Sequence, residues 1–168
     1  MAIKIKSVDK GLFKMEKTAK DLDGRKINVG YLQGGEQAWL AAIHEYGCVI
    51  KITPKMRNWL HANGLHVKNT TKEIVIPERS YLRAGFDEHH KQVIDVTNLL
   101  VADVLGGTMP VDKFCEIVGT ELRSKIQDYA DELSDPKNHP FTIERKGSAN
   151  PLVDSGDMIN SLDFEVEK

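Results

Sequence analysis

Two long stretches of helical periodicity, separated by a glycine pair, constrain this chain more than any other feature. From Ser80 to Leu105 the apolar residues Leu82, Phe86, Val93, Val96, Leu100 and Leu105 recur at roughly helical spacing, and Gly106-Gly107 ends the run. A second run occupies about Val111 to Leu133, with Phe114, Ile117 or Val118, Leu122, Ile126, Tyr129 and Leu133 on one stripe. So short a link predicts an antiparallel pair, and its joint apolar stripe needs a cover. The expected fold class is therefore α+β: a small mixed or antiparallel sheet packed against two long antiparallel helices.

The flanking segments supply the other elements. Ile3, Ile5 and Val8 alternate like a strand, and Asp9 provides a cap for a helix with Leu12, Met15, Ala19 and Leu22 on one face, ended by Asp23-Gly24. Ile27, Val29 and Tyr31 predict a second strand, closed by Gly34-Gly35, and Gln37 to Tyr46 a short helix ended by Gly47. Val49 or Ile50 and Ile52 read as extended, and Thr53-Pro54 starts a helix carrying Met56, Trp59 and Leu60, which Asn63-Gly64 stops. Leu65 and Val67 then face Ile74, Val75 and Ile76 across a polar link, the pattern of a β-hairpin. Residues 48 to 76 thus read as an inserted helix and hairpin arm facing a neighbour. Beyond the turn at Ser134 to Pro140, Phe141 and Ile143, and later Leu162, Phe164 and Val166, alternate like strands, with Asp154 or Ser155 capping a short helical turn between them.

Composition bounds the class. At 168 residues, 40% hydrophobic and 29% charged, the chain fits one domain spanning residues 1 to 168 with a core of its own. The longest apolar stretch, Val93 to Leu105, is interrupted by Asp95, Asn98 and Asp103, so no membrane span is expected. The alternating Ile and Lys after Met1 lack the apolar region of a signal peptide, which predicts a chain made and kept in the cytoplasm. Cys48 and Cys115 lie far apart without CxxC spacing and read as buried thiols. A net charge of −2 gives no global pull toward phosphate backbones.

Candidates for chemistry are few. Asp87-Glu88-His89-His90 is the densest group of possible metal ligands, with His44, Glu45 and His61 elsewhere. On a helix only residues three or four apart share a face, so Asp87 and His90 make one pair, and HExxH is absent. A hydrolase or nuclease would need Asp87, His90 and Glu45 to converge; a solvated helix face is the plainer reading. Ser155 lacks the GxSxG setting of a nucleophile, and Gly30, Gly34 and Gly35 form no phosphate loop. Lys137, Arg145 and Lys146, beside His139, make a modest basic loop that could touch DNA, diluted by Asp135 and Glu144. Arg79 and Arg83 suit either contacts across an interface or intrachain pairs, Asp87 standing four residues beyond Arg83. No cofactor is expected.

Three segments, in order, carry a resemblance: Ala42-Ile43-His44-Glu45-Tyr46-Gly47, then Ile76-Pro77-Glu78-Arg79-Ser80-Tyr81-Leu82-Arg83, then Asn150-Pro151-Leu152-Val153-Asp154-Ser155-Gly156. Together they resemble the tailed-phage neck, tail-completion and virion-morphogenesis family, related to the minor tail components of lambdoid siphophages, over roughly residues 25 to 168. Tyr81 stands where that pattern more often has Phe, and Ser155 where it more often has Thr. Each keeps its part as aromatic plug or hydroxyl cap.

The resemblance implies a structural virion protein at the head-tail junction, made in the host cytoplasm and joining copies of itself in a ring, with a hexamer as the expected closure. Its partners would be a connector or stopper and a tail terminator or tail tube, with passive contact to DNA in the channel. Carried over residue by residue, Pro77 would set the start of the long helix, Arg79 and Arg83 would bind acidic partners, Gly47 and Gly156 would allow tight turns, and Asp154-Ser155 would cap. The expected interface residues are Lys51, Ile52, Met56, Arg57, Lys68 and Lys72 on the insertion and Arg79, Tyr81 and Arg83 beside it.

Overall fold

The long helical runs fold as expected. A computed structural model describes residues 10 to 168, so the strand at Ile3 to Val8 and the cap at Asp9 fall outside the described residues. The elements in chain order are α1 (Lys10–Leu22), β1 (Lys26–Gly30), α2 (Gly35–Tyr46), β2 (Cys48–Lys51), α3 (Pro54–Ala62), β3 (Glu73–Ile76), α4 (Tyr81–Gly106), α5 (Val111–Glu132), α6 (Pro140–Lys146), α7 (Asp157–Asn160) and β4 (Asp163–Glu167). Gly107, at φ 76°, takes the left-handed turn that stops α4 and donates its N–H to Val104 O. The chain then doubles back as α5.

Helices α4 and α5 are antiparallel. Near the start of α4, a Cβ built on Gly85 would lie 3.3 Å from Tyr129 Cβ at the far end of α5, while Val104 near the end of α4 shares a core with Phe114 and Cys115 at the start of α5. One core joins Ile126 and Ala130 of α5 to Ala41, Tyr81, Leu152, Met158, Ile159 and Leu162. The other joins Val93, Val104, Phe114, Cys115 and Val118. Each fully buried aliphatic or aromatic side chain of this kind contributes roughly 1.5–3 kcal/mol relative to exposure.

The strands form two separate antiparallel ribbons. In one, β1 pairs with β4, Val29 opposite Phe164 and Ile27 opposite Val166, and this ribbon covers α5. Gly119 makes room for it, because a Cβ there would overlap the Phe164 ring. In the other, β2 pairs with β3, Cys48 opposite Ile76 and Lys51 opposite Glu73. The fold is α+β: one antiparallel ribbon, β1–β4, lies on two long antiparallel helices, and the arm over residues 48 to 76 is a second ribbon, β2–β3, joined through α3.

Three local expectations need correction. Leu65 and Val67 are not the partners of Ile74 to Ile76. The carbonyls of Val67, Lys68 and Thr71 instead accept from Arg57, and that of Val67 also lies 3.0 Å from His61 Nε2, so β2 takes the partner position. Phe141 and Ile143 lie in α6, because His139 Nδ1 accepts from Phe141 N at 3.2 Å and Pro140 stands in the first turn. On α1, Leu22 joins the second core, whereas Met15 and Ala19 remain exposed; Ile27 and Val166 of the first ribbon pack there as well. Cys115 is buried as expected, and Cys48 is half-buried.

The space under Phe164 gives a direct test. Gly119→Ala should lower unfolding free energy by roughly 1–3 kcal/mol, the usual cost of overpacking, as measured by urea denaturation. Gly30→Ala, where nothing lies within 4 Å of the added carbon, should stay within about 0.5 kcal/mol of the parent chain.

Candidate functional site

The start of a helix leaves backbone N–H groups without partners, and a Ser at the N-cap normally takes one of them. Ser80 makes no such bond at the start of α4. The carboxylate of Glu45, from the last turn of α2, does so instead. Its Oε2 accepts from Leu82 N at 2.9 Å and its Oε1 from Arg83 N at 3.2 Å. Arg83 closes over the same group, donating Nε to Glu45 Oε1 at 2.8 Å, Nη2 to Glu45 O at 3.0 Å and Nη2 to Glu78 at 2.7 Å, with its guanidinium 5.0 Å from the Tyr46 ring centre. Glu45 is 2% exposed, and the positive end of the helix dipole stabilises a carboxylate in this position.

The neighbouring residues of both segments interlock around that cap. His44 O accepts from Arg79 N at 2.7 Å, and Tyr31 and Tyr81 share a hydrogen bond of 2.6 Å between their hydroxyls. Burial pushes both phenols above their ordinary pKa. Gly47 has φ 71°, and a Cβ there would stand 2.9 Å from Glu78 N and from Ile76 O, so no other residue fits where the arm leaves the body.

Arg79 is 4% exposed and spends its fork inside the subunit. Nε donates to Pro136 O at 2.8 Å, and Nη2 to Asn138 Oδ1 at 3.1 Å and Lys137 O at 3.3 Å. Beside it, His44 Nδ1 lies 3.5 Å from Arg79 Nη1. Burial, then the Arg79 and Lys146 charges, depress the His44 pKa to about 4.

The third segment reaches the same end of the helix pair. Asn150 donates Nδ2 to Asp131 O at 2.6 Å, satisfying a carbonyl in the last turn of α5, while its Oδ1 accepts from Leu152 N at 2.7 Å and Val153 N at 3.1 Å. Asn138 Nδ2 donates to Pro151 O at 3.4 Å, and Lys146 Nζ to Asn150 O at 2.9 Å. Pro151 and Leu152 are buried. Because α4 and α5 are antiparallel, the start of one and the end of the other lie together, and the three segments finish both.

The expected interface residues divide accordingly. Tyr81, 1% exposed, and Arg79 are interior residues, so neither offers a surface to a partner; the plug role of Tyr81 is filled within the chain. Arg83 is half-exposed, but its acidic partners are Glu45 and Glu78 rather than Asp87. Arg57 holds the loop after α3 through three carbonyls. Ile52 and Met56 are half-buried, whereas Lys51, Lys68 and Lys72 are exposed. Asp154 and Ser155 do not cap α7 in the expected way: Gly156, at φ 89°, occupies the N-cap position, and Ser155 Oγ reaches Asp157 N at 3.4 Å.

The rival chemistries gather little. No group of three or more His, Cys, Asp or Glu among the described residues could hold a metal, so Asp87, His90 and Glu45 do not form a cluster. His90 instead stacks on Phe86 and bonds back to its own helix. In the basic loop Lys146 is bound to Asn150, and Arg145 donates to Asn63 Oδ1 at 2.9 Å while lying over Trp59 and Phe141. Sequence reading missed Trp39, Trp59, Val49, Val75, Phe86 and Ile94 as exposed apolar side chains. A period-two reading anchored on Ile50 and Ile52 would have turned Val49 outward. Comparison with protein-family models, with curated proteins and with solved structures returned no match.

Two outcomes follow from the joint. Glu45→Ala should cost about 2–4 kcal/mol in denaturant unfolding, combining a lost helix cap with lost charge-assisted bonds; Glu45→Gln, keeping an acceptor, should cost less. For His44 the folded pKa of about 4 lies below the unfolded value near 6.5, so the unfolded chain binds more protons between them. Stability should therefore fall as pH drops from about 6.5 toward 4, by up to about 1.4 kcal/mol per unit from this group. His44→Gln should flatten the stability-pH slope in that window.

Proposed function

We propose that this chain is a non-enzymatic structural subunit of a tailed-phage virion, a neck or tail-completion component that joins copies of itself in a ring where head meets tail. The observation that carries the reading is the convergence of the three resembling segments. Residues 44 to 47, 77 to 83 and 150 to 152 are distant in sequence, yet they complete one joint at one end of the α4–α5 pair. Three short motifs that must meet in space act as a single fold signature, which weighs more than three separate matches.

The surface supports the same reading. Trp39, Tyr46, Val49, Trp59 and Val75 expose half or more of their area, the kind of apolar surface that protein interfaces use. No described helix is long and apolar enough to cross a membrane, in keeping with assembly within a particle. A ring suits such a subunit because one modest contact is repeated around the circle and closes on itself.

Native mass spectrometry of the purified chain, with negative-stain images of the same sample, tests this. The expected result is one closed oligomer, six-fold by the resemblance. A strict monomer at all concentrations, unchanged on mixing with candidate tail-tube and connector proteins, would count decisively against the proposal.

A further inference from the structure

The charge of this chain is divided between its parts. Residues 48 to 76 hold five Lys or Arg against one carboxylate, Glu73, whereas the remaining residues hold eighteen against twenty-four. The arm is thus strongly basic and the body acidic, although the whole is close to neutral.

Apolar and charged side chains are also paired on each part. On the arm, Val49 and Val75 are cross-strand partners on the outward face, and Lys51 follows Val49 on that face. On α3, Lys55 precedes Trp59 by four residues and so shares its side of the helix. On α4, Phe86-Asp87 and Ile94-Asp95 repeat eight residues apart, about 12 Å along the helix and turned about 80° around it, with the exposed Lys91 between the two carboxylates. Val49, Val75, Trp59, Phe86 and Ile94 are between 47% and 67% exposed. The four charged residues are exposed too, and their side chains make no hydrogen bond or ion pair among the described residues.

We propose that the arm of one copy docks on the outward face of α4 in the next copy, Val49, Val75 and Trp59 against Phe86 and Ile94, with Lys51 and Lys55 facing Asp87 and Asp95. The inference rests on the ring reading above and gives that ring its junction. Complementary potentials fix the register of such a contact and discourage arm-to-arm pairing, since like charges would meet. Because the two surfaces are different patches of one chain, the contact is heterologous, and repetition makes a ring when the rotation from copy to copy closes the circle. Each subunit then offers one arm and one receiving face.

Charge reversal tests this on the full chain. Lys51→Glu with Lys55→Glu defines an arm variant, and Asp87→Lys with Asp95→Lys an α4 variant; circular dichroism and thermal melts establish that both remain folded. In native mass spectrometry at low ionic strength, wild type should assemble, each variant alone should be monomeric, and mixing the two should restore assembly, because every arm then meets a face of opposite charge. Variants that assemble like wild type would overturn the junction while leaving the ring to another surface. A wild type that stays monomeric alone and on mixing with tail-tube and connector proteins would remove ring and junction together. Loss of binding to a double-stranded DNA oligonucleotide in the arm variant, with assembly unchanged, would overturn the junction in favour of a nucleic-acid arm.

Discussion

Everything at one end of this molecule hangs on a carboxylate from one helix completing another. The first turn of α4 has N–H groups that its own N-cap residue leaves unmet, and Glu45 of α2 supplies both oxygens. Because an unpaired buried polar group costs more than a made bond gains, this contact fixes the position of α2 against α4 more strictly than apolar packing alone could. The arm leaves the body between these two helices, so its base inherits the same fixed geometry.

The opposite polarity is met at the end of α5. There Asn150 takes backbone carbonyls, and Lys146 and Arg79 bring positive charge close to the negative end of the helix dipole. His44, held neutral between two cations, keeps a third charge out of that crowded space. The joint is therefore polar where the helix ends meet and backs onto an apolar core that includes Tyr81, Leu152 and Ala41.

Most of the architecture was legible because periodicity reports burial. The α5 stripe, the glycines at 106 and 107, and the Thr53-Pro54 start of α3 each state a local physical rule, and each is followed, whereas the α4 stripe holds except at Phe86, which is 47% exposed. Phe141 and Ile143 misled because a two-residue alternation is too short to separate strand from helix, and a histidine side chain acting as cap gives little signal. Arg79 and Tyr81 misled for a different reason. Residue type shows that an Arg seeks oxygens or that a Tyr wants a polar contact for its hydroxyl, but not whether those partners lie in the same chain; here Pro136, Asn138 and Tyr31 supplied them. The exposed valines of the arm were hidden by an ambiguity of one residue in phase.

The first and last residues of the arm are partners in its own ribbon, Cys48 beside Ile76. A segment whose ends meet adds no span for the body to bridge, and its one buried apolar residue, Leu60, belongs to neither body core. Apart from the Arg145 contacts to Asn63 and Trp59, the body can therefore keep its fold while the arm lengthens or shortens. The outer surface of the arm and the architecture of the body are thus free to drift at different rates, with a single glycine, Gly47, as the boundary between them.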